Sequence, residues 1–191
     1  MSDDDSQDVL KRLAALESQV GGVQEQLSIL EQNKSAEKAS ILVFSGNFDK
    51  LITSFILATG AAAMGIETTM FFTFWGLTGI KKKSSYADKH ITEKMIAMML
   101  PSDNASIGNT SMMNMGGVGP LFFKYVMGRK NVETLPGLVS VAQEMGVKFI
   151  ACQMSMEVMG IKEEELLDDV EYGGVMKYVQ SASEAGITLF V

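Results

Sequence analysis

The one cysteine of this chain, Cys152, has the sequence setting best suited to covalent chemistry. It lies in "VKFIACQMSMEVMG" (147–160), where a run suited to a buried strand passes directly into a short helical pattern. At such a junction a sulfur meets backbone N–H groups with no intrahelical acceptor, together with the positive end of the helix dipole. That setting favours the thiolate, the nucleophilic form. Gln153, Met154 and Ser155 open the helix, and Ser155 is able to cap it or to donate to the sulfur. The competing reading is a small apolar filler, since buried inert cysteines are common. Position alone does not choose between them.

Ligands of open α/β sheets bind beyond the carboxyl ends of the strands, so two further strand ends collect candidates. In "SGNFDK" (45–50), Gly46 permits close approach of an anion, while Asn47, Phe48 and Asp49 start a helix that Asn47 or Asp49 caps. In "FWGLTG" (74–79), Trp75 and Gly76 wall a pocket or belong to an aromatic core. The loop "NMGGVGP" (114–120), with Met115, Gly116 and Gly117, reads as a flap over the same edge or as a plain glycine-rich turn. His90 has no second histidine or cysteine near it and reads as a surface residue. Thioethers beside a thiolate suit Cu(I), but the 15 methionines read as flexible apolar lining, and no metal or cofactor is expected.

Composition narrows the classes. One cysteine excludes an internal disulfide or a CxxC redox pair, and with one histidine it makes a Cys/His zinc site untenable. The net charge of −7 argues against nucleic acid, and neither GxGxxG nor a Walker pattern is present. A free thiol fits a reducing cytoplasm, and "MSDDDSQDVL" lacks the regions of a signal peptide. The apolar stretch 51–80 is broken by Glu67 and glycines, which suits a buried helix and strand better than a span. "KKK" at 81–83 leaves peripheral membrane contact open.

The elements that must position these residues form two parts. Val9, Leu13, Leu16, Val20, Val23, Leu27 and Leu30 are spaced 4-3-4-3-4-3, an a/d seam that predicts a coiled-coil helix and linker over 1–36 and self-association. An amphipathic helix folded back on its own domain is the alternative. Residues 37–191 alternate apolar strands with helices: strands "ASILVFS", "IETTMFFTFWG", "VKFIA" and "ITLFV", with helices between them. That alternation predicts a three-layer α/β/α sandwich on a mostly parallel sheet. The acidic run 163–171 reads as a solvated face.

"ILVFSGNFDKLITSFILATGAAAMGIETTMFFTFWGL", the "NMGGVGP" loop and "ACQMSMEVMGI" together resemble the DsrE/DsrF/DrsH-like family of sulfur-relay proteins, over roughly residues 38–191. The match is to its larger branch, often labelled peroxiredoxin-like. The resemblance implies a parallel α/β sandwich that forms homo- or hetero-oligomers. It also implies a cysteine, matching Cys152, that carries sulfane sulfur as a persulfide between partner proteins. Gly46, Asn47, Trp75 and the 114–119 loop then surround the thiol. Some relatives have further cysteines; this chain has none, which leaves a single-thiol relay as the consistent mechanism. The rivals are a non-catalytic oligomeric scaffold that binds a small anion, and a thiol peroxidase whose resolving thiol comes from elsewhere.

Overall fold

The computed structural model describes residues 12–13, 15–17, 19–26, 36–86, 89–112 and 117–191. The chain divides into two compact units, Met1–Ala36 and Glu37–Val191. In the first, the described residues between 12 and 26 are helical, and the seam residues Leu13, Leu16, Val20 and Val23 are each about half exposed. Val9, Leu27 and Leu30 lie outside the described residues.

The second unit is an α/β sandwich. Its strands are β1 (Ala36–Val43), β2 (Glu67–Phe72), β3 (Lys148–Cys152), β4 (Val170–Gly173) and β5 (Ala185–Phe190), in spatial order β4-β3-β2-β1-β5. β1 to β4 pair in parallel. β5 joins β1 with the same sense: Val191 N–H donates to Leu42 O and its carbonyl accepts from Phe44 N–H, two residues further on. The helices are α1 (Phe48–Ala63), α2 (Ile91–Met99), α3 (Val118–Arg129), α4 (Leu135–Glu144), α5 (Gln153–Met159) and α6 (Val175–Glu184).

Local signals explain most of these bounds. α1 stops before Gly65, which takes a left-handed φ of 79°, and Thr134 caps α4 by accepting from Gly137 N–H. Two expectations fail. The aromatic run after Phe72 does not extend the strand: Phe74 turns to φ 45° and Phe74–Ile80 forms a 3₁₀ turn. The acidic run is not all solvated either, because its last residues form the edge strand β4 and Glu165 is fully buried.

Glu165 organises the turn in the connection from β3 to β4. Its carboxylate accepts from Lys89 Nζ (2.6 Å), Ser85 N–H (2.7 Å) and Lys162 N–H (2.9 Å), with Lys81 Nζ 3.9 Å away. Burial pushes this carboxyl up, but the bonds from Lys89, Lys162 and Ser85 outweigh it and hold the group below its ordinary range. Burial drives the Lys81 ammonium down from its ordinary value, partly offset by Glu165. Of the "KKK" run, then, Lys81 is interior and Lys82 pairs with Asp168, leaving Lys83 exposed. Among the described residues no helix is long and apolar enough to cross a membrane.

The sheet's two faces differ. Successive strand residues alternate between them. Ile41, Val43, Met70, Phe72, Phe149 and Ala151 face a large core under α1, α4 and α5, where Phe55, Phe72 and Phe149 meet at ring-centroid distances of 5.6 to 5.9 Å. Leu42, Phe71, Ile150 and Cys152 face the other way, into a small cluster that Tyr178 of α6 joins.

Candidate functional site

The parallel sheet brings the segments after β1, β2 and β3 to one edge, as the spacing of the candidate residues requires. Phe44, Ser45, Gly46, Asn47, Lys50, Trp75 and Thr78, with Met99–Pro101, Ile107 and Asn109, enclose a cleft of about 380 Å³ there. Trp75 is 55% exposed on its wall. The floor is made by two backbones in contact. A Cβ on Gly46 would lie 2.7 Å from Trp75 O, and one on Gly76 would lie 2.1 Å from Val43 O, so both positions exclude a side chain. Gly76 N–H in turn donates to Phe44 O (2.9 Å), which locks the 3₁₀ turn onto the end of β1.

The polar residues at the start of α1 do not act as caps. Asn47 occupies the N-cap position but its side chain makes no capping bond; its Nδ2 donates to Ser111 Oγ (3.3 Å). Asp49 Oδ1 accepts from Ser111 N–H (2.8 Å), and Phe48 N–H donates to Asn109 O (2.7 Å). Asn47, Phe48 and Asp49 thus hold the 109–111 segment against the helix start. Phe48 itself is a core residue, edge-on to Phe123 with Lys124 Nζ 4.8 Å above its ring. Met115 and Gly116 lie outside the described residues, and Gly117 starts α3 with φ 97°.

Cys152 is the last residue of β3 and the N-cap of α5, the junction its sequence setting indicates. It is only 3% exposed, and its side chain makes no capping bond. It is not among the residues lining the Trp75 cleft, because at this register Cys152 and Ile150 take the face opposite Ala151. Ser155 neither caps α5 nor reaches the sulfur. Fully buried, it shares a 2.7 Å hydrogen bond with Thr73 Oγ1 and so ties the end of β2 to the first turn of α5. Gln153 and Met154 are exposed.

What lies over Cys152 carries no obvious signal in the sequence. Cys152 pairs in register with Gly173, whose Cα is crossed by the Lys177 side chain; a Cβ there would sit 2.6 Å from Lys177 Cδ. The Tyr178 ring packs on Phe71 at a tilt of 41°, with centroids 5.4 Å apart. Toward the amino end of the same face, Lys38, Glu67, Lys148 and Glu171 come from β1, β2, β3 and β4 in order, alternating in sign. Their ion pairs are Lys148–Glu67 (2.5 Å), Lys177–Glu171 (2.5 Å) and Lys38–Glu184 (2.8 Å), the last two reaching α6. The Lys148–Glu67 and Lys38–Glu184 pairs favour their charged forms: Lys38 and Lys148 are raised and Glu67 and Glu184 lowered, first by the hydrogen bond to the partner. Among the described residues no cluster of His, Cys, Asp and Glu is arranged to hold a metal, and His90 is exposed.

A parallel α/β sandwich with a lone cysteine at the end of a central strand is the arrangement that the sequence resemblance implies, and the chain belongs to the DsrE/DsrF/DrsH-like family, matched over residues 35–190. It is 42% identical over 159 residues to YrkE of Bacillus subtilis (strain 168), across 83% of this chain and 99% of that protein. It is 32% identical over 156 residues to the sulfur carrier protein DsrE2 of Allochromatium vinosum, across 81% and 98%. Among solved structures it is similar to the YchN protein of E. coli, with a TM-score of 0.49 and 13% identity over 81% of this chain and 98% of that one.

Proposed function

We propose that this chain is a sulfur carrier that holds sulfane sulfur as a persulfide on Cys152 and relays it between sulfur donor and acceptor proteins or small thiols. The observation that carries the reading is the placement of its only cysteine at the carboxyl end of an interior strand, in a chain similar over 81% of its length to a protein named as a sulfur carrier. In the first step the Cys152 thiolate attacks the outer sulfur of a donor R–S–SH; a new S–S bond forms, the old one breaks, and R–S⁻ leaves. In the second an acceptor thiolate attacks the outer sulfur of Cys152–S–SH, takes it, and regenerates the Cys152 thiolate. The first-turn N–H groups of α5 stabilise the anionic forms. Each step is an exchange between sulfurs, so no second cysteine in the chain is needed.

The test is intact mass after loading with polysulfide or thiosulfate. A gain of one sulfur (~32 Da) that is lost in Cys152→Ala supports the reading, and an adduct that persists in Cys152→Ala overturns it.

A scaffold that binds a small anion is the second reading, favoured by the separation of Cys152 from the Trp75 cleft, in which Lys50 is the cation. It expects Cys152→Ser to keep function. The exposed heptad seam supports a homo-oligomer, checked by the molar mass of the full chain against one starting at residue 36. A cytoplasmic setting, where thiols stay reduced, suits the same chemistry. The basic run offers a membrane surface little more than Lys83, so vesicle binding is expected to be weak.

A further inference from the structure

We propose that α6 is a displaceable cover over Cys152, with Tyr178 as the residue that seats it, so that access to the thiol is set by α6 lifting from the sheet. The inference rests on the relay reading for its purpose, but not for its test.

α6 is built the wrong way round for a permanent core helix. Lys177, Gln180, Ser181 and Glu184 line the space between it and the sheet, while Val175, Met176 and Val179 stand more than half exposed on its outer side. No residue of α6 is fully buried. An amphipathic helix is ordinarily held by its apolar stripe, and here that stripe contributes nothing to attachment. Apart from its chain connections to Gly174 and, at Ala185, to β5, the side-chain contacts that hold it among the described residues are one ring contact, Tyr178 on Phe71, and three polar ones: Lys177–Glu171, Lys38–Glu184 and Ser181 Oγ to Ser40 Oγ at 3.2 Å. Ion pairs with half-exposed partners hold weakly and are screened by salt. At its leading end α6 follows Gly173 and Gly174, adjacent to Cys152 through the β3–β4 register.

Against this, Cys152 is 3% exposed. A sulfur so enclosed cannot meet a second sulfur in line, so exchange requires an opening, and the cluster that encloses it contains one element with no buried anchor. Tyr178 is therefore a positioning residue: it acts on Cys152 through the seating of α6.

The experiment follows alkylation of Cys152 in the native full chain by iodoacetamide, read by intact mass, beside hydrogen exchange of α1 and α6. The expected result is a wild-type rate at least ten-fold below that of the unfolded chain and ten-fold or more faster in Tyr178→Ala. Tyr178→Phe, which keeps the ring, should restore the slow rate. The pair Glu171→Gln and Glu184→Gln, or high salt on the wild type, should speed alkylation several-fold, and α6 amides should exchange faster than α1 amides in every folded variant. Should Tyr178→Ala fail to fold, the glutamate pair and the salt series carry the test. A wild-type rate equal to that of the unfolded chain overturns the proposal. So does a rate unmoved by Tyr178→Ala (or, if that variant does not fold, by the glutamate pair and salt), or an acceleration matched by equal loosening of α1. Alkylation reads access and not sulfur chemistry: gated alkylation without a persulfide adduct leaves the cover standing and removes the relay.

Discussion

The two faces of the sheet are built to different standards. On one, three helices bury Phe55, Phe72, Phe149 and their neighbours in a continuous apolar core; on the other, one ten-residue helix meets a row of alternating charges and a cluster of three buried residues. Stability resides mainly on the first, and the single thiol is on the second. The lesson is a division of labour within one strand: Ala151 belongs to the core that holds the fold, and Cys152, the next residue, belongs to the face that can open.

This contrast breaks or sharpens under substitution. The largest effect expected is Cys152→Ala, which should abolish sulfur loading outright while leaving the thermal midpoint within a few degrees of wild type; mass spectrometry and a melting curve check both. Next comes Phe149→Ala, which removes the ring that meets Phe55 and Phe72 and should cost about 3–5 kcal/mol in urea unfolding. Tyr178→Ala, on the thin face, should cost about 1–2 kcal/mol; equal losses would erase the distinction between the faces.

Glu165→Gln should cost about 3–5 kcal/mol, because Lys89 and Lys81 then remain buried without their carboxylate. The Glu165 carboxyl titrates below its unfolded value, so its stabilisation is complete above about pH 4.3 and is lost as pH falls through the lower folded value. Urea midpoints between about pH 6 and pH 3 should accordingly fall more steeply in the wild type than in Glu165→Gln. The smallest effects belong to the ion pairs of the thin face. Glu171→Gln or Glu184→Gln should change stability by no more than about 1 kcal/mol, and less in salt.

Much of this architecture is legible in the sequence, for identifiable reasons. The strands β1 and β3 each end in a short apolar run, Ile41–Val43 and Phe149–Cys152, and α1 and α4 carry their end signals, Gly65 and Thr134 among them, in local sequence. β4 was hidden because four residues inside "DDVEYGG" resemble solvated acidic chain until β3 is placed beside them. Apart from Lys162, the partners of Glu165 lie far off in the chain, Ser85 80 residues and Lys89 76 residues away, beyond the reach of any local pattern.

For the site, the strand-to-helix position of Cys152 could be read directly. The face it takes could not, since a shift of one residue in register exchanges the two faces. That is why Gly46, Asn47 and Trp75 were grouped with the thiol although the cleft they line does not include it. For Ser155 the sequence offers a cap or a donor to the sulfur, and its partner is instead Thr73, 82 residues away in the chain. The orientation of α6 escaped because amphipathicity shows that a helix has an apolar side, not which way that side turns.

The reciprocal contact between the end of β1 and the 3₁₀ turn has a consequence for how this sequence can vary. Gly46 lies against the carbonyl of Trp75, and Gly76 against the carbonyl of Val43, so each segment is bare at the point where it passes the other. A side chain at either position forces the two segments apart and removes the reason for glycine at the other. Among relatives the two positions are therefore expected to covary: both remain glycine where the turn is seated on the strand, and both drift once it is released.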